Sequence, residues 1–190
     1  MATVSYITPS ELLVFYDANK VLMLASDSST PATATELANS SSTAYGIVYQ
    51  AIQSAAGEID SHCQIGRRYS REDLETIADE AANPTGSATV QAQQVKRGAP
   101  LRRLTADLAF GFLMARRGYT AERMRALAPQ YEGALMTLER LLNGLRVFDM
   151  EAQLSASSPS RIVIGSQVYR PSLNNRMFGV WSDNDFNFNC

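Results

Sequence analysis

Tyr45, Val48, Ile52, Ala55, Ile59 and Cys63 recur at steps of three and four residues. That is the period of an α-helix, whereas a strand alternates its faces every two residues. The spacing predicts one amphipathic helix over 44–65, with Gly66 as its stop. A long helix with a single apolar stripe has to bury that stripe against other helices. A mainly α fold follows.

The neighbouring segments predict the partners. Thr8-Pro9-Ser10-Glu11 has capping-box spacing with Pro9 at the first helical position, which starts a helix over 9–17. A second short helix follows near 18–25. Ser70 caps a helix over 71–82, with Asp73 at its third position and Leu74, Ile77 and Ala78 as its stripe. Pro100 opens a helix over 100–117 with Leu101, Leu104, Leu108 and either Phe112 or Leu113 inside, and Gly118 ends it. Thr120 caps a last helix over 120–143. Its expected stripe is Met124, Leu127, Tyr131, Leu135, Leu138 and Leu142, with a kink or break at Pro129 and a stop at Gly144. The expected architecture is a small bundle of four to five helices.

Two segments read as loops. Ten of the 18 residues in 26–43 are Ser or Thr, too few apolar groups to offset the entropy of ordering them, with one helical turn near Glu36-Leu37. Residues 83–99 open on the breaker Asn83-Pro84-Thr85-Gly86 and continue polar to Gly98, as a loop or a weak helix that ends there.

The pattern changes after Phe148. The domain expectation is therefore a helical domain over 1–148, followed by a linker, arm and tail over 149–190. Ser155–Ser160 is a linker, and Ile162, Val163, Ile164 and Tyr169 read as an extended β arm. The Asn-rich remainder carries Phe178, Trp181, Phe186 and Phe188. Large aromatics on a segment too polar for its own core are expected to be anchors on a partner.

Composition removes several function classes. Lys+Arg is 17 and Asp+Glu 19, so the net charge of −2 is not that of a general nucleic-acid binder. The longest apolar run, Leu108 to Ala115, is eight residues, far short of the roughly 20 that span a bilayer. The first residues lack a basic and an apolar region, so no signal peptide is expected. Two cysteines, Cys63 and Cys190, make no disulfide scaffold, and one histidine removes most zinc sites. Phosphate-binding, nucleophile-elbow and CxxC motifs do not occur.

What chemistry remains is sparse. His62 lies beside Asp60 and Cys63, but adjacent helical residues do not face each other, so a core or interface position is the better reading. Glu72, Asp73, Glu75, Asp79 and Glu80 read as a solvated acidic face rather than a metal site. No cofactor and no catalytic set are expected. Charge is unevenly placed: residues 1–65 carry −5 and residues 66–148 carry +4. The pairs Arg67-Arg68, Arg102-Arg103 and Arg116-Arg117 are expected to make ion pairs with carboxylates, within the chain or between subunits. DNA contact through the same arginines is the alternative, which would make the chain a small helical DNA-binding protein of packaging or regulation.

Three places, in order, resemble one phage family. Tyr6-Ile-Thr-Pro-Ser-Glu-Leu-Leu13 is similar to a Y-x-T-x-x-D-L start. Ala51–Ser61 followed by Gly66-Arg67-Arg68-Tyr69 resembles A-x-x-x-A-x-x-x-I-D-x-Y-L-x-x-R-Y. Pro100–Ala109, then Tyr131–Gly144, resemble P-x-x-L-x-x-L-x-x-D-I-A and a closing Y-x-x-A-x-x-x-L-x-x-I-x-x-G. These are motifs of the small head–tail connector proteins, also called adaptor or head-completion proteins, of Mu-like and lambdoid-like tailed phages. The resemblance covers 6–148; segments 26–43 and 83–99 are longer than that pattern and 149–190 has no counterpart in it. It implies a homo-oligomeric ring, commonly of twelve subunits, beneath the portal protein in the virion neck, assembled in the host cytoplasm. Such a ring extends the channel for double-stranded DNA, without sequence-specific binding, and offers a docking surface to a tail or tail-terminator protein.

Overall fold

The computed structural model describes residues 5–148. The chain divides into two units, Met1–Asp149 and Met150–Cys190. Among the described residues there are eight helices and no strand: α1 Pro9–Phe15, α2 Ala18–Leu24, α3 Ala34–Ala38, α4 Thr43–Gly66, α5 Arg71–Ala82, α6 Ala88–Arg116, α7 Ala121–Leu127 and α8 Pro129–Leu142. The expected β arm at Ile162, Val163, Ile164 and Tyr169 lies outside the described residues, as do Phe178, Trp181, Phe186 and Phe188.

Two long helices organise the bundle. α4 has 24 residues and α6 has 29, about 36 and 44 Å at 1.5 Å per residue. α6 packs along α4 and α5, and α8 lies against both α4 and α6. Every residue from Leu104 to Gly111 is buried, so this part of α6 is covered on all sides. The predicted α4 stripe is the buried face: Val48, Ile52, Ala55, Ile59 and Cys63 are all in the core, with Tyr45 half-buried.

The starts of the helices follow their caps. Thr8 and Glu11 form the expected capping box on α1, and Ser70 and Asp73 form another on α5. A third, Thr33 with Glu36, starts α3 inside the Ser/Thr-rich loop, where Leu37 is fully buried. Thr120 caps α7.

Three expectations are corrected. Residues 88–99 are not a loop, because α6 begins at Ala88 and runs through Pro100. Val90 and Val95 are exposed, so the segment shows no apolar stripe although its Ala, Gln, Lys and Arg favour a helix. Pro100 cannot donate to the carbonyl of Lys96, and both residues are on the exposed side of the helix. Gly98 is not a stop but a notch. A Cβ there would collide with Ala81 and the Ile77 carbonyl where α5 crosses. The third correction concerns the stripe of the last helix, whose expected break at Pro129 is present. The helix breaks before Pro129, where Ala128 leaves the helical region at φ −141°, ψ 68°, the α region being disfavoured before proline. The break resets the helical phase, so Leu127, Leu135 and Leu142 are exposed while α8 buries Ala134, Leu138 and Leu141.

Candidate functional site

The single histidine makes no dyad. His62 Nδ1 is 2.8 Å from the Glu58 carbonyl one turn back. Cys63 faces the core, and burial, then nearby Asp60, pushes its thiol up to about 12. Asp60 accepts from the Tyr6 hydroxyl and lies 3.8 Å from Arg71. On α5, Glu75 pairs with Arg71 at 2.7 Å, Glu80 with Arg97 at 3.7 Å, and Asp73 is a cap. No group of three His, Cys, Asp or Glu side chains that could hold a metal occurs among the described residues, and no described helix is long and apolar enough to cross a membrane.

Arg102, Arg103 and Arg116 pair with carboxylates within the chain. Arg102 bonds Glu11 at 2.7 Å, Arg103 bonds Asp107 at 2.9 Å, and Arg116 bonds Asp27. Arg67 ends α4 in the left-handed conformation, φ 53°. Arg68 has a buried Nε without a hydrogen-bond partner. Arg117 is exposed.

Sequence reasoning missed the tyrosine clamps. Tyr6 and Tyr16 flank α1 and donate to Asp60 on α4 and, at 2.6 Å, to Asp107 on α6. With Glu11–Arg102, they fasten α1 at three points to helices far away in sequence. Tyr16 also stacks on Phe110 with ring centres 4.0 Å apart, and Arg103 lies over the Tyr16 ring. Burial is the first cause that lifts both phenols above their usual range, and the accepting carboxylates lift them further. Burial also raises Asp60 and Asp107 against the opposing pull of the tyrosine and arginine bonds. The one available signal was Asp107, a carboxylate in an otherwise apolar stretch.

Exposed large apolar side chains include Val14 on α1, Ile65 on α4, Val90 and Val95 on α6, and two further groups. One is on and after α8: Leu135, Met136, Leu142 and Leu145. The other is the corner where α2, the end of α6 and α7 meet. There, Met23, Leu24, Phe110, Met114, Tyr119 and Leu127 line a groove of about 140 Å³. Beside it, Arg116, Arg117, Arg123, Asp27 and the same Tyr119 line a polar cleft of about 680 Å³. Gly118, at φ 75°, shapes this corner. Its N–H reaches the Ala115 carbonyl and that of Tyr119 reaches Met114, a Schellman closure that satisfies the last carbonyls of α6. Arg123 lies 5.0 Å over the Tyr119 ring.

In comparison with protein families, curated proteins and solved structures, the chain matches none of them. The surfaces therefore speak through their chemistry alone. The carboxylates with raised pKa values, Asp60 and Asp107, are held in helix–helix clamps.

Proposed function

We propose that the protein is a structural head–tail connector of a tailed bacteriophage. It assembles as a ring, with twelve copies as the resemblance implies, beneath the portal. The ring extends the DNA channel and presents a docking surface to a tail or tail-terminator protein. Its role is not catalytic, and its place is the neck of the virion. The β arm expected near 161–169 reaches toward a neighbouring chain.

One observation supports this reading beyond the sequence resemblance: exposed apolar side chains stand at separate places on one helical body, among them Leu135, Met136 and Leu142 on α8 and Met23 and Leu127 at the α2–α6–α7 corner. A ring joins subunits head to tail, which pairs two unlike patches of the same chain, whereas a two-fold dimer uses one patch twice. The α8 surface and the α2–α6–α7 corner are unlike patches, each open to a different part of a neighbouring copy. The clamped interior agrees, since Asp60, Asp107 and Cys63 serve packing.

Mass photometry of the purified chain, alone and mixed with a portal, tests the proposal. The expected result is a defined ring, or assembly only on the portal. A strict monomer without affinity for any portal overturns it.

A further inference from the structure

The groove and the cleft at the α6–α7 corner share Tyr119, so one ligand can fill both. The groove is apolar and has the scale of one large side chain. The cleft beside it has three guanidinium groups against one carboxylate, and that carboxylate, Asp27, is already tied to Arg116. Arg117 and Arg123 remain to face a ligand, and Lys20 adds a third cation at the groove. The Schellman closure satisfies the α6 carbonyls, so neither arginine is needed to cap the helix. The fitting ligand is an acidic peptide with an aromatic anchor.

The chain itself contains such a segment. Residues 177–190 include Asp183 and Asp185, no Lys or Arg, and the aromatics Phe178, Trp181, Phe186 and Phe188. Trp181 and Phe186 bracket the two carboxylates, so an apolar anchor and negative charge come within a few residues. We propose that the α6–α7 corner binds residues 181–186 of a second copy, with an aromatic side chain in the groove and Asp183 and Asp185 on Arg117 and Arg123. A duplex DNA backbone would meet the same arginines but leave the apolar groove unfilled, which favours the peptide.

The test uses the full chain. A labelled synthetic peptide of residues 180–190 is titrated, by fluorescence anisotropy, into full-length protein carrying Asp183→Lys and Asp185→Lys, whose own tail no longer competes. Binding is expected, weakening as salt is raised. Adding Arg117→Glu and Arg123→Glu to the receiver should reduce affinity about tenfold or more. Arg117→Glu alone, at an exposed position, covers the case in which the double change unfolds the protein. Absence of peptide binding, binding indifferent to these arginines, or binding of duplex DNA in place of the peptide overturns the proposal.

A mixing experiment fixes the occupant as a second copy. The Arg117→Glu/Arg123→Glu chain and the Asp183→Lys/Asp185→Lys chain should each fail to make the contact alone. Mixed, the intact tail of the first meets the intact corner of the second, and mass photometry should show the hetero-pair. If the mixture stays monomeric although the peptide binds, the occupant is not a second copy and the proposal fails. Peptide binding is read without any portal or ring, so its loss is distinguishable from failure of the connector reading.

Discussion

The Tyr69 hydroxyl is bound to both backbone polar groups of Phe148. It donates to the Phe148 carbonyl at 2.9 Å and accepts the Phe148 N–H at 2.9 Å. It also accepts the Val147 N–H at 3.0 Å, and the two rings pack with centres 5.2 Å apart. The backbone after α8 is thereby fastened beside the turn that follows α4. Tyr69→Phe keeps the ring but leaves these buried groups unpaired, at a cost of about 2–3 kcal/mol. Phe148→Ala removes a fully buried side chain and should cost about 3–5 kcal/mol. Urea denaturation followed by circular dichroism measures both, and a Tyr69→Phe protein as stable as the parent would refute the account.

Glycines inside helices should divide into two classes. A Cβ on Gly111 would strike the Tyr131 ring, and one on Gly98 would strike α5. Ala at either position is expected to destabilise by about 1–3 kcal/mol, overpacking outweighing the gain in helix propensity. Gly46, Gly57 and Gly133 have open space where a Cβ would go. Ala there should stabilise by about 0.5–1 kcal/mol. Thermal melts of the five single variants check the ordering.

Asp60 and Asp107 make acid stabilising over a defined window. Burial holds both carboxyls above the ordinary value of 3.8 in the folded state. A raised folded value means the proton binds the folded chain more tightly. Their contribution is therefore complete below the unfolded value and is lost as pH rises through the folded one. Stability against pH, measured by urea titration from about pH 4 upward, should fall less steeply in Asp60→Asn and Asp107→Asn than in the parent. Identical slopes would show that these carboxyls do not titrate as described. Glu36, lowered by its bonds to Thr33, acts in the opposite direction, losing its contribution as pH falls.

The phenols of Tyr6 and Tyr16 give the alkaline counterpart. Both are raised, so the stability they contribute is present below about pH 10 and lost above it. Phenolate absorbance should reach its full amplitude for the eight tyrosines only as the protein unfolds. Tyr6→Phe and Tyr16→Phe should each remove one late-titrating group from that transition.

Cys63 should be nearly inert in the folded protein. It is buried and its thiol is pushed up to about 12 by burial, so little thiolate exists at neutral pH. In a Cys190→Ser background, modification by a thiol-specific disulfide reagent should be slow in buffer and fast in denaturant. Rapid native labelling would contradict the packing around α4.

The helices with a stripe or a capping box were legible. The α4 face and the boxes at Thr8 and Ser70 rest on local spacing, and local spacing is what a sequence records. The first half of α6 was hidden because its packed side includes a glycine, and Gly98 reads as a stop unless α5 is known to cross there. The α8 face was misplaced because Pro129 breaks the phase, so stripe positions counted from Met124 rotate toward solvent. The α6–α7 corner was legible only as Arg116-Arg117, since Met23, Phe110 and Arg123 come together through the bundle. The clamps were invisible because each joins residues whose proximity only the fold creates.

The clamps also set an order of events during synthesis. Tyr16 precedes its partner Asp107 by 91 residues, and Tyr69 precedes Phe148 by 79. At 5–20 residues per second, a ribosome takes on the order of 5–20 s to cover the longer gap. For that interval α1 has emerged with Tyr16 unbonded and no α6 to pack on. The last of these long-range closures waits for Phe148, so a nascent chain stalled short of it carries an open core. The domain is thus completed from its end rather than grown from its beginning.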